Sequence, residues 1–158
     1  MERRREDAPQ RDDFEAPQLG PEWISVRTRP ADAWSLTERP GSLVLHARDG
    51  SIDSAEPAFA GRRQQHTRFT ARAAIDAARG RGGLVVRIDA VPDPAGHGPD
   101  VLRLGLEEHG EHVAIAELDG RYLSTEVAGG FTGRVIGLYA AEGTVAFDWF
   151  EYAGTDAG

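Results

Sequence analysis

Cysteine is missing from this chain altogether, which excludes a disulfide framework and thiolate chemistry. Also missing is any apolar run near the ~18 residues that a membrane-spanning helix requires. Positive charge is in deficit, with eighteen basic residues against twenty-six acidic ones and a net charge of −8. Phosphate binding needs a dense positive surface, so nucleic acid is not expected as a general partner. The run Arg3-Arg4-Arg5 does not reverse this, because Glu6 and Asp7 follow at once and such blocks mark solvated termini. That N-terminus has the charges of a signal peptide but no apolar stretch behind them, so the cytoplasm is the expected compartment, with no membrane partner. There is no repeat of solenoid or propeller period, no dinucleotide or phosphate-binding glycine motif and no Ser-His-Asp spacing.

What remains is enough for one globular domain. Apolar residues make up 40% of 158 and charged residues 28%, which suits a single hydrophobic core. Residues 1–11 read as a polar lead-in, 12–153 as one domain and 154–158 as a tail. Within the domain, apolar residues recur with a period of two. Leu43 and Leu45 share a face, as do Phe69, Ala71, Ala73 and Ile75, then Leu84, Val86 and Ile88, then Leu102, Leu104 and Leu106. "HVAIAEL", "GRVIGLYA" and "TVAFDWFEY" continue the series, with Gly, Pro and Asp between segments. Short strands with frequent turns predict an all-β sandwich or barrel. The alanine-rich stretch 70–82 has helix-forming composition, yet its alternation through Ile75 favours a strand. In "AFDWFEY" strict alternation places Phe147, Trp149 and Glu151 on one face and Asp148, Phe150 and Tyr152 on the other. Aromatics on both faces imply that the second face is covered by a loop, a partner or a ligand.

Candidate chemistry is sparse. Glycoside hydrolysis needs two carboxyl groups ~5–10 Å apart across one bond. Asp148 and Glu151, three apart on a strand, fall on opposite faces, and nothing brings Asp76, Asp119 and Glu126 together, so no catalytic residue is assigned. "EHGEH" (108–112) offers His109 and His112 beside Glu108 and Glu111, but Gly110 between two strand-like segments reads as a polar hairpin turn rather than a zinc site. His97, in a Gly-His-Gly loop, has the same reading. No cofactor and no metal ligand are assigned. A structural calcium bridging Asp13 and Asp148 would suit that ion's preference for oxygen, although nothing fixes the pairing. Arg62, Arg63, Gln64, Gln65 and His66 supply many hydrogen-bonding groups. They could form the solvent face of a strand, contact a partner domain, or grip sugar hydroxyls. Trp23, Trp34 and Trp149 suit a small core better than a sugar platform.

Four blocks then converge. "DDFEAPQLGPEWISVRTRPADAWSLTERPGSLVLHA", "GRRQQHTRF", "DGRYLSTEVAGGFTGRVIGLYA" and "FDWFEY" occur in this order and resemble the C-terminal concanavalin A-like domain of glycoside hydrolase family 43 β-xylosidases and α-L-arabinofuranosidases. The resemblance covers residues 12 to about 75 and 117 to 152; the stretch between departs from it and is shortened. It implies a jelly-roll β-sandwich of two antiparallel sheets, from which the shortened middle can have removed some strands. It also implies a five-bladed catalytic propeller as partner, since in that family the carboxylates of the reaction lie there. The segment ahead of Phe-Thr-Gly helps close the propeller's sugar pocket, so Phe131, with Thr132, Gly130 and Ser124, is the implied pocket-facing group.

The expectation is therefore an accessory, non-catalytic sandwich that completes a propeller's pocket for xylan- or arabinoxylan-type hydrolysis. The alternatives are a stand-alone carbohydrate-binding module and a truncated remnant. In the remnant, unpaired sheet edges would favour homo-oligomers.

Overall fold

The computed structural model describes residues 10–25, 33–48, 57–66, 68–83, 87–91, 101–120 and 134–155. Among them are nine strands and no α-helix: β1 (Gln10–Asp12), β2 (Trp34–Ser35), β3 (Leu43–His46), β4 (Ala58–Arg63), β5 (Arg68–Gly83), β6 (Arg87–Val91), β7 (Val101–Glu108), β8 (Glu111–Asp119) and β9 (Val135–Thr155). Every pairing is antiparallel. The two antiparallel sheets of the expected sandwich are present, and the long strands β5 and β9 join them into one hydrogen-bonded path, β2-β3-β9-β5-β6-β7-β8. β9, at 21 residues, takes β4, β3 and β1 in turn along one edge and β5 along the other.

β5 shows tertiary context overriding propensity. Alone, its alanines and arginines favour a helix, but sixteen residues of it are strand, because β9 and β6 satisfy its backbone and Phe69, Ala71 and Ala73 are buried. The β5–β9 ladder is irregular in three places, between Ala74 and Ile75, Asp76 and Arg79, and Arg81 and Gly82. Near the second, Gly143 takes a φ of 62°, and a Cβ there would meet the Arg79 carbonyl of β5. Only glycine combines that backbone angle with so close an approach.

The first irregularity corrects the alternation expected for β9. Ala74 pairs with Trp149 and Ile75 with Phe147, so Asp148 is an extra residue without an opposite number in β5. A bulge of this kind shifts the alternation by one. Phe147 consequently joins Phe150 and Tyr152 among the buried residues, while Trp149 and Glu151 are partly exposed.

The core collects residues from both ends of the chain. Trp23 is buried between Phe14, 5.6 Å away, and Phe150, 5.1 Å away and edge-on, with Leu43, Leu45, Leu138, Val145 and Phe147 in the same cluster. Asp12 fastens the N-terminal part onto it. One carboxylate oxygen accepts the Trp23 indole N–H at 2.7 Å, and the other accepts the Phe14 backbone N–H at 2.8 Å. That second bond holds Phe14 at a φ of 54°, a conformation that ordinary side chains resist.

Candidate functional site

The polar run 61–66 is divided by burial. Arg62 is only 8% exposed: its guanidinium donates to Gln10 and lies 5.7 Å from the Trp23 ring and 5.8 Å from the Phe150 ring. Those rings offer their negative faces to the cation and offset part of its desolvation. His66, also 8% exposed, packs beside Tyr152 with ring centroids 5.7 Å apart. The Tyr152 hydroxyl accepts the backbone N–H groups of Gln65, at 3.1 Å, and His66, at 3.2 Å, and lies 3.2 Å from His66 Nδ1. A Cβ at Gly154 would run into the His66 ring, so glycine is required there for the imidazole to fit. Gln64 donates through its side chain to the His66 carbonyl at 2.8 Å. Arg63 and Gln65 are the exposed members of the run. The five residues therefore do not form one polar surface: β4 ends at Arg63, and the turn of chain beyond it buries His66 against Tyr152.

The second aromatic face of β9 is covered by the chain's own arginines. The Arg11 guanidinium sits 4.5 Å from the Trp149 ring centroid, and that of Arg72 5.9 Å from it. Arg72 also bonds Glu151 of β9 and reaches Glu107 of β7 at 3.2 Å. Its charge is stabilised above the ordinary guanidinium value, first by the Glu151 bond, against the opposing effect of burial, and then by Glu107. This cross-strand network was not identifiable from the sequence, because Arg11 and Arg72 lie far apart in the chain and only the β1–β9–β5 pairing brings them to one ring.

The carboxylates considered for chemistry have separate partners. Asp148 accepts the Ser42 hydroxyl at 3.0 Å and faces Arg39 at 3.3 Å, whereas Glu151 is bound by Arg72. Asp13 pairs with Arg11 at 2.7 Å. Asp76 pairs with Arg39 and accepts the Ala78 backbone N–H at 3.1 Å. These two contacts, the backbone bond first, hold the Asp76 carboxyl below the usual range. Among the described residues, no three His, Asp or Glu side chains gather as a metal site would require. Within "EHGEH", His109 (φ 52°) and Gly110 (φ 82°) form the two-residue turn of the β7–β8 hairpin, both in the left-handed region, with Glu108 opposite Glu111.

Phe131, Thr132, Gly130 and Ser124 lie outside the described residues, as do Glu126 and His97. What is described is the base of their segment. β8 ends at Asp119, β9 begins at Val135, and Arg134 donates to the Gly120 carbonyl at 3.2 Å. Beside this base, β8 is exposed at every position from Val113 to Leu118.

Comparison with known proteins gives this geometry a family. The model of the β-xylosidase C-terminal concanavalin A-like domain matches residues 11–91 and 96–153. The match therefore runs on through most of the stretch expected to depart, and breaks only at 92–95. A non-reducing end α-L-arabinofuranosidase of Bacteroides ovatus is 29% identical over 195 aligned residues, which include 91% of this chain and 37% of the enzyme. That alignment is longer than the chain itself, so the relative carries residues in the matched span that this chain lacks. In three dimensions the chain resembles the family 43 protein of the Bacteroides ovatus xyloglucan locus, with a TM-score of 0.75, 26% identity and coverage of 94% of this chain and 40% of that one. The fold is shared as well with a xylan β-1,4-xylosidase from Bacillus halodurans C-125, with a TM-score of 0.73, 22% identity and coverage of 97% and 40%. The chain thus spans about two fifths of the length of these relatives. With one match running through nearly the whole of its strand framework, the chain belongs to the family of β-xylosidase C-terminal concanavalin A-like domains.

Proposed function

We propose that the chain is a non-catalytic accessory domain that docks on a family 43 catalytic propeller and completes its sugar pocket with the segment carrying Phe131. The observation that carries this reading is the asymmetry of coverage: nearly all of the chain matches the relatives, but only about two fifths of each relative is matched. The described carboxylates support it, because Asp76, Asp148 and Glu151 are each engaged by arginine rather than set across an open cleft. The sugar would be a xylose- or arabinose-type unit, the class named in the relatives. Phe131 would lay an apolar ring on the pocket wall, while Ser124 and Thr132 supply hydroxyls beside it.

The test is to add the chain to a separately produced family 43 propeller and follow hydrolysis of nitrophenyl xylosides and arabinofuranosides. Stimulation that Phe131→Ala removes, with binding of the two proteins retained, is the expected result. Unchanged activity on mixing would overturn the reading.

A further inference from the structure

Arg62 is a cation buried without an anion. It is 8% exposed, yet among the described residues its guanidinium makes a single hydrogen bond, to the side-chain amide oxygen of Gln10 in β1, and no ion pair. A guanidinium keeps its proton at any ordinary pH, so it does not escape the cost of burial by losing its charge. Acids are not scarce, for the chain has twenty-six of them against eighteen bases. The acid of β1, Asp12, shares the Gln10 side of the strand but is committed elsewhere, one oxygen to the Trp23 indole and the other to the Phe14 N–H.

The surroundings hold the cation in place and leave it reachable. The rings of Trp23, 2% exposed, and Phe150, fully buried, lie 5.7 and 5.8 Å from the guanidinium carbon. They favour the charge through their faces but bring no oxygen to the N–H groups. Among the described residues the buried side-chain polar atom that lacks a partner is Ser25 Oγ, so the unbonded nitrogens of Arg62 open to solvent. Gln10 is itself exposed, and its side chain can turn away while its backbone stays paired with Tyr152.

We infer that Arg62 is a binding site for a small carboxylate, which takes the place of the Gln10 amide on the guanidinium. A carboxylate matches two parallel N–H groups of the fork, and such charge-assisted bonds are about twice as strong as those to a neutral acceptor. A neutral hydroxyl would gain nothing that Gln10 does not already supply. Sugar acids and simple carboxylates share this chemistry. The site is built from this chain alone and does not depend on the accessory reading.

The experiment follows the Trp23 indole N–H of the full chain by NMR while glucuronate, acetate or xylose is added at constant ionic strength. Saturable shifts with glucuronate and none with xylose are the expected result. An equal response to acetate would identify the carboxylate alone as the ligand, and a response to glucuronate only would add the sugar ring; both support the site. Gln10→Glu gives Arg62 an acid of its own. It is expected to raise the melting temperature by about 2–4 °C and to weaken carboxylate binding about tenfold or more, a loss that misfolding would not explain in a stabilised variant. Arg62→Lys keeps the charge without the fork and should also weaken binding about tenfold. No saturable response to either carboxylate, or a response to xylose equal to that of glucuronate, would overturn the inference. So would a Gln10→Glu variant that melts no higher than wild type or binds carboxylate as tightly.

Discussion

Two parts of the sheet meet their surroundings in opposite ways. Where β1, β9 and β5 run side by side, Trp149 is flanked by Arg11 and Arg72, and the acids around them are paired. In the β7–β8 hairpin, Leu106, Val113, Ile115 and Leu118 are exposed. In the first region the chain's own arginines lie against the aromatic surface and leave Trp149 only partly exposed. The second carries the apolar pattern of a covered sheet, and no cover lies over it among the described residues.

Substitutions can widen or erase this contrast. Phe147→Ala, in the core beneath the sealed region, should cost about 3–5 kcal/mol, read as a fall in thermal and denaturant midpoints. Tyr152→Phe removes the hydroxyl that accepts from Gln65 and His66 and leaves two N–H groups unsatisfied. It should cost about 1–3 kcal/mol by the same measurements. Glu151→Gln discharges one partner of Arg72 and should cost at most about 1 kcal/mol, because the pair is partly exposed and screened. Ile115→Asp, in the open region, should change the stability of the isolated chain by no more than about 0.5 kcal/mol. A large loss there would show that the hairpin face is sealed within the chain, and the comparison would fail.

The smallest effect concerns acid. Asp76 is held below the usual carboxylate range by the Ala78 N–H and Arg39. A depressed folded-state value stabilises the fold at pH above the ordinary carboxylate pKa, and that contribution is lost as pH falls below about 4. Asp76→Asn should therefore lower the melting temperature slightly at neutral pH, flatten the acid limb of the profile and leave the most acid values nearly unchanged.

Strands and family were legible because both are written locally, in alternation and in blocks of residues. The buried side of β9 was legible only up to Asp148. A bulge depends on what the partner strand does, so the inward turn of Phe147 could not be read from β9 alone. Of the polar run, the burial of Arg62 and His66 against the exposure of Arg63 and Gln65 follows from strand and loop geometry more than from polarity. The cover over Trp149 needed Arg11 and Arg72 to meet across three strands. In the hairpin, Leu102, Leu104 and Leu106 read as sharing one face, and of them only Leu102 is buried.

β9 also governs the order in which the fold can be made. It follows β1, β3, β4 and β5 in the chain, and each of them pairs with it. During synthesis those strands leave the ribosome before their partner exists, with their edges open to wrong pairings. Contacts this distant in sequence also slow folding, since loops must close before any gain is realised. For this domain, the exposed interval ends only when one late strand arrives and engages four earlier ones.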